Sequence, residues 1–164
     1  MFVMSVNSKK LKMFLFPVLL TCAVIVSAVF FFSDKSKAAV NEYGDFNYRA
    51  STASERSGFI SQFGWTFEEE PVEVREIVIP QEFDEVYENY NNIQKQQGLD
   101  LSDFCGKRVK RWTYTITNYP GYSEQADCIR INLLVFDGLV VGGDVCSVEL
   151  DGFMHGFSLP SNNS

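Results

Sequence analysis

The chain has 164 residues, 46% hydrophobic and 15% aromatic, enough for one modest domain with its own core. Val40 to Ser164 carry 9 basic and 20 acidic residues, a net of 9 − 20 = −11. That balance excludes nucleic acid, which needs a basic footprint, and keeps this part of the chain off anionic lipid headgroups.

Residues 1–12 are basic through Lys9, Lys10 and Lys12, and an almost unbroken apolar run, MFLFPVLLTCAVIVSAVFFF, extends from Met13 to Phe32. About 20 helical residues cover the roughly 30 Å hydrocarbon core of a bilayer. The run predicts a single-pass transmembrane anchor over residues 13–32, with the lipid bilayer as its partner. The lysines before it predict a cytoplasmic N-terminus and an extracytoplasmic C-terminal domain. Two other readings are a cleaved signal peptide, cut near Ser36-Lys37-Ala38, and a lipoprotein acylated at Cys22. The run is longer than the about 7–15 apolar residues of a signal peptide, and it continues well past Cys22. Residues 33–53 are polar without a sustained period and read as a stalk. An extracytoplasmic domain is expected over 54–158, with a disordered tail over 159–164.

Thr52-Ala53-Ser54-Glu55 has the pattern of a capping box and predicts a first helix, with Phe59, Ile60 and Phe63 on one face and Gly64 as its stop. Val72 to Ile79 predicts a strand closed by Pro80. A second helix is expected from Gln81 to Gln97, its stripe at helical spacing formed by Phe83, Val86, Tyr87, Tyr90, Ile93 and Gln97, with Gly98 as its stop. Three strands follow. The first alternates, with Trp112, Tyr114 and Ile116 facing the core and Arg111, Thr113, Thr115 and Thr117 facing away. The second covers Ile129 to Phe136, and Asp137-Gly138 predicts a tight hairpin into the third, Leu139 towards Leu150, with a bulge at Gly142-Gly143. The order α-β-α-β-β-β predicts an α+β, two-layer domain: two helices on one face of a mainly antiparallel sheet.

Several stretches carry a family resemblance. They are Phe63-Gly64-Trp65, Ile79-Pro80, Tyr90-Asn91 with Gln94, and Gly98-Leu99-Asp100-Leu101. Asn118-Tyr119-Pro120, Gly142-Gly143-Asp144 and Asp151-Gly152-Phe153-Met154-His155-Gly156 complete them. Over roughly Ser54 to Phe157 the chain resembles a family of uncharacterised, membrane-anchored proteins of Clostridia-type Gram-positive bacteria, domain of unknown function 4830. The resemblance implies a bacterial envelope location. It implies no activity, cofactor or catalytic residue.

The chemistry-bearing residues are sparse. His155 is the one histidine, and the serines nearest to it, Ser147 and Ser158, lie in no nucleophile elbow. No metal-ligand spacing is present; Asp100-Leu101-Ser102-Asp103 fits a turn better than a calcium loop. Glu68-Glu69-Glu70 reads as a solvated acidic run. Lys107, Arg108, Lys110 and Arg111 form a basic knot that would meet either envelope phosphates or internal acids. Trp65, Trp112, Tyr114, Tyr119 and Tyr122 offer rings for a sugar- or peptide-binding face; of these Trp112 and Tyr114 read as core, whereas Tyr119 and Tyr122 lie in a loop where a ligand can reach them. Strand geometry keeps Cys105 from Cys128, and a bulge leaves Cys128 and Cys146 only diagonally related, so no structural disulfide is expected.

In an antiparallel meander the loops after the first and third of these strands lie at the same end of the sheet. Tyr119, Tyr122, Asp127, Asp151 and His155 therefore converge on one candidate interaction edge. No catalytic, cofactor or metal set is expected. The function read here is a non-catalytic interaction or sensing domain of the bacterial envelope, with an unidentified protein or envelope component as partner. The alternatives are a small envelope hydrolase using His155 with Asp127 or Asp151, and a purely structural membrane-tethered module.

Overall fold

The computed structural model describes residues 46–122 and 127–160. Among them no helix is long and apolar enough to cross a membrane; the anchor expected over residues 13–32 lies outside the described residues.

Helix α1 (Ala53–Ser61) begins where the capping box sets it. Thr52 Oγ1 accepts from the Glu55 N–H at 3.2 Å, and Glu55 Oε2 accepts from the Thr52 N–H at 3.0 Å. Strand β1 (Glu73–Val78) follows. Helix α2 (Glu85–Gln96) starts later than Gln81 because Asp84 is its cap, taking the Tyr87 N–H at 2.8 Å. A 3-10 turn (Leu101–Phe104) leads into β2 (Arg108–Thr115), β3 (Ile129–Phe136), β4 (Leu139–Ser147) and β5 (Met154–His155). The strands form one antiparallel sheet in the order β1-β2-β3-β4-β5. The fifth strand was not expected; two residues are too few to show an alternating pattern.

The β3–β4 hairpin turns on Asp137 (φ 48°) and Gly138 (φ 78°), the left-handed pair of a type I′ turn. Leu134 pairs with Gly142 but Val135 pairs with Val140, so Val141 is the extra residue of a bulge beside the expected Gly142-Gly143.

The helices do not share a face of the sheet, which corrects the two-layer expectation. Successive strand residues point to opposite sides. Ile129, Ile131, Leu133 and Val135 of β3 pack with Phe59 and Ile60 of α1, Tyr114 and Phe157. Leu134, between them in sequence, packs instead with Val109, Leu101, Ile79 and the rings of Tyr87 and Tyr90 of α2. The sheet is thus the middle layer of three. For that reason Thr113 and Thr115, expected to face water, are buried under the α2 side. Thr113 Oγ1 donates to Asn132 Oδ1 at 2.7 Å and Thr115 Oγ1 accepts from Arg130 Nη1 at 3.0 Å, which offsets their burial.

The α2 stripe is also displaced. Val86 is 75% exposed, and the buried positions are Asn91 and Gln94. Their amides do a job no apolar side chain can. Asn91 Oδ1 takes the Leu101 N–H at 2.8 Å, and Gln94 Oε1 takes the Gly143 N–H at 2.8 Å, satisfying backbone donors that the bulge and the turn leave unpaired.

Part of the expected stalk belongs to the domain. The Val140 N–H donates to Tyr48 C=O and the Ala50 N–H donates to Gly138 C=O, both at 2.8 Å, and Ala50 is buried. Tyr48 to Ala50 thereby lie along β4 at its hairpin end, a pairing that no local period in residues 33–53 announces. Tyr114 and Ile116 lie in the core as their alternation predicts. Trp112 is only partly buried and forms the margin of that core. Its ring lies under the Arg56 guanidinium, whose carbon is 3.5 Å from the ring centroid.

Candidate functional site

The end of the sheet that carries β5 gathers rings from three separate segments. Tyr119 follows β2, Trp65 follows α1, Phe153 precedes β5 and His155 lies in it. Trp65 and Tyr119 stack with centroids 5.6 Å apart, Tyr119 and Phe153 at 4.7 Å, and Phe153 and His155 at 5.6 Å. Tyr122 meets Tyr119 and Phe153 edge-on. The wall is anchored from behind: buried Trp65 donates Nε1–H to Phe157 C=O at 2.6 Å. Offset stacks of this kind stabilise beyond their buried area and hold each ring in one orientation.

His155 is oriented at both nitrogens. Nδ1 lies 2.6 Å from Gly156 C=O, and a carbonyl can only accept, so Nδ1 carries a proton. In the neutral imidazole Nε2 is then the acceptor for the Tyr119 hydroxyl, 3.1 Å away. Burial, and secondarily Tyr122, raises the Tyr119 phenol above its ordinary pKa, which keeps it a hydrogen-bond donor.

Beside this wall runs a groove of about 470 Å³ between α2 and the segment that includes β5, lined among others by Ile93, Gln96, Met154, His155, Gly156 and Pro160. Gln97 holds its floor in place. Its Nε2 donates to Gly143 C=O at 2.9 Å while its Oε1 takes the Phe157 N–H at 2.8 Å, tying α2 to β4 and to the segment after β5.

Of the residues expected at this edge, Tyr119, Tyr122 and His155 come together. Asp127 and Asp151 have no hydrogen bond or ion pair with them among the described residues; both are exposed turn residues with left-handed backbone, φ 65° and 62°. Carboxylates here serve turn geometry, which Asp tolerates better than most residues. Phe153, Trp65 and Gln97 are parts of the site that lie outside the expected edge, although Trp65 is among the candidate ligand-facing aromatics. Helical spacing puts Gln97 on the α2 stripe without pointing to a site, and an aromatic in a short loop carries no periodic signal.

Elsewhere the chemistry-bearing residues are occupied structurally. Ser147 Oγ accepts from the Glu149 N–H, and Asp100 Oδ1 accepts from Asn91, the Ser102 N–H and the Ser102 hydroxyl. In the basic knot, Arg108 pairs with Glu76 and Arg111 with Glu73. On the α2 face Asp144 accepts from Tyr90 Oη at 2.8 Å and from Asn132 Nδ2 at 2.9 Å. Burial raises the Asp144 pKa despite those bonds. Burial, and then Asp144, pushes the neighbouring Cys146 thiol up to about 12. A thiol so poised is protonated at neutral pH and is a poor nucleophile.

Architecture and site together define an α+β domain with an aromatic-walled groove at one end of its sheet. A family model described as Domain of unknown function (DUF4830) matches residues 59–145, more than half of the 164 residues, and the chain belongs to that family. No curated protein and no solved structure matches it.

Proposed function

We propose that the domain is a non-catalytic interaction module of the envelope of Clostridia-type bacteria, held at the membrane by residues 13–32 with its N-terminus in the cytoplasm. Its ligand is an extended peptide segment of an envelope protein, taken into the groove beside β5. The observation that carries this reading is the stacked wall of Trp65, Tyr119, Phe153 and His155 next to β5, the last strand of the sheet. An edge strand offers main-chain donors and acceptors to an extended chain, and adjacent pockets select its side chains. The groove supplies apolar surface from Ile93, Met154 and Pro160 and polar groups from Gln96 and Ser158, the mixture a peptide requires. Engagement of both imidazole nitrogens supports an orienting role for His155 over that of a general base, which needs a reacting proton within reach.

Met154→Asp tests the groove, because this side chain is 48% exposed and its replacement leaves the core intact. Full-length protein crosslinked in intact cells should lose a specific protein adduct on this change while its melting temperature holds. An unchanged adduct removes the groove from consideration. The orientation is tested separately. Protease added to intact protoplasts should remove a C-terminal epitope, and survival of that epitope until lysis would reverse the topology.

A further inference from the structure

Among the described residues Arg56 is a buried cation without a counter-ion. It is 6% exposed, and no carboxylate of the described residues forms an ion pair with it. Its partners are all neutral. Nε donates to Tyr114 Oη at 2.8 Å, and Nη1 donates to the carbonyls of Ala50 and Ser51 at 3.1 and 3.2 Å. The guanidinium face rests on Trp112. Nη2 has no hydrogen-bond partner among the described residues. A guanidinium has five N–H donors; the two on Nη2 remain open to the solvent side, where an acceptor entering from outside can meet them.

That acceptor has a place to bind. Arg56 lines a cavity of about 310 Å³ together with Ser51, Lys110, Trp112, Val135 and Asp137. Lys110 is exposed, forms no ion pair among the described residues, and holds its ammonium 5.8 Å from the Trp112 centroid. Two cations thus flank one indole in a part of the chain whose net charge is −11 (9 − 20, Val40 to Ser164). We propose that this cavity binds a monocarboxylate with an apolar body. The carboxylate meets Arg56 Nη2 and Lys110 Nζ, and the apolar body lies on Trp112 and Val135. A single negative charge fits better than the double charge of a phosphate monoester, because Asp137 is also in the lining and the surrounding domain is acidic. Pairing of a carboxylate with a guanidinium is the stronger kind of hydrogen bond, and the low-dielectric setting of Arg56 strengthens it further.

The test uses the full-length chain and hexanoate. Binding is read from tryptophan fluorescence and from the rise in melting temperature that a ligand of the native state produces. Saturable binding is expected at concentrations up to about 10 mM, the range for a ligand of so few atoms. Hexanol and hexylamine should not bind. Lys110→Gln removes an exposed cation and leaves the fold intact, and should weaken hexanoate about tenfold; Arg56→Gln, where it folds, should abolish binding. A peptide ending in leucine, with its C-terminus free or amidated, identifies the source of the carboxylate. Tighter binding of the free form than of hexanoate, with none by the amide, assigns the cavity to a chain terminus; hexanoate binding alone assigns it to a free organic acid. No saturable response to either carboxylate overturns the proposal, as does equal binding of hexanol or an unchanged hexanoate affinity in Lys110→Gln.

Discussion

Tyr90 on α2 and Asp144 on β4 meet across the helix–sheet interface, the phenol donating to the carboxylate at 2.8 Å in a site where Asp144 is 3% exposed. The contact ties α2 to β4. It also makes stability depend on pH in an unusual direction. Burial raises the folded-state pKa of Asp144 above its ordinary value, so over the window above about pH 4 the native state holds a proton that the unfolded chain has released. Stability linked to this group is fully present below the ordinary carboxyl pKa and is lost as pH rises through the raised value. The melting temperature of wild type minus that of Asp144→Asn should therefore fall as pH increases from about 4 to about 8. A difference that grows over that range would contradict the assignment.

Two glycines should respond to alanine in opposite directions. A Cβ on Gly143, whose φ is 152°, would lie 2.1 Å from Asn132 C=O, against backbone that cannot move aside. Gly143→Ala should cost about 3 kcal/mol or more through strain and overlap. Gly58, in α1, has nothing within 4 Å of its Cβ position, so Gly58→Ala should stabilise by about 0.5–1 kcal/mol. Thermal or urea unfolding of both variants checks the pair.

Trp65→Phe keeps most of the ring's apolar surface but removes the donor to Phe157 C=O. A buried carbonyl without a partner should cost about 1–3 kcal/mol. The same change loosens the base of the aromatic wall, so the Tyr119 and His155 side-chain resonances should broaden or shift. Unchanged stability and spectra would show that Trp65 does not brace the wall.

Helices, meander and hairpin were legible because local chemistry determines them: the Thr52 capping box, the alternation through Tyr114 and Ile116, and the Asp137-Gly138 turn all act within a few residues. The convergence of Tyr119 with His155 was legible from topology, since strand direction alone brings their loops to one end. What failed was long-range. Period 2 distinguishes two faces but does not say how many are covered, so Thr113 and Thr115 read as solvent-facing although both are buried. Asn91 and Gln94 lie off the expected helix stripe, whereas backbone groups of Leu101 and Gly143 draw them inside. Trp112 reads as core because its position alternates correctly, but α1 leaves it at the margin under Arg56. Asp127 and Asp151, expected at the same edge, are turn residues with left-handed backbone, a conformation that no periodic pattern signals.

The thiol of Cys146 should be unreactive in the folded protein. With its pKa pushed up to about 12 by burial and then by Asp144, alkylation by iodoacetamide at pH 8 should proceed only after unfolding. Mass spectrometry before and after urea treatment measures this. Cys105, Cys128 and Cys146 form no disulfide with one another, so reductant should leave the melting temperature unchanged. Rapid native-state labelling at Cys146 would show that the α2 face is open.

The groove beside β5 is tested most directly with a photo-activated crosslinking amino acid in the full-length protein, illuminated in intact cells. One version carries it at Met154, inside the groove and 48% exposed; the other carries it at Val86, 75% exposed on α2 and absent from the groove lining. A discrete protein adduct from position 154, absent from position 86, is the predicted result. Equal crosslinking from both positions, or adducts from position 86 alone, would contradict the account.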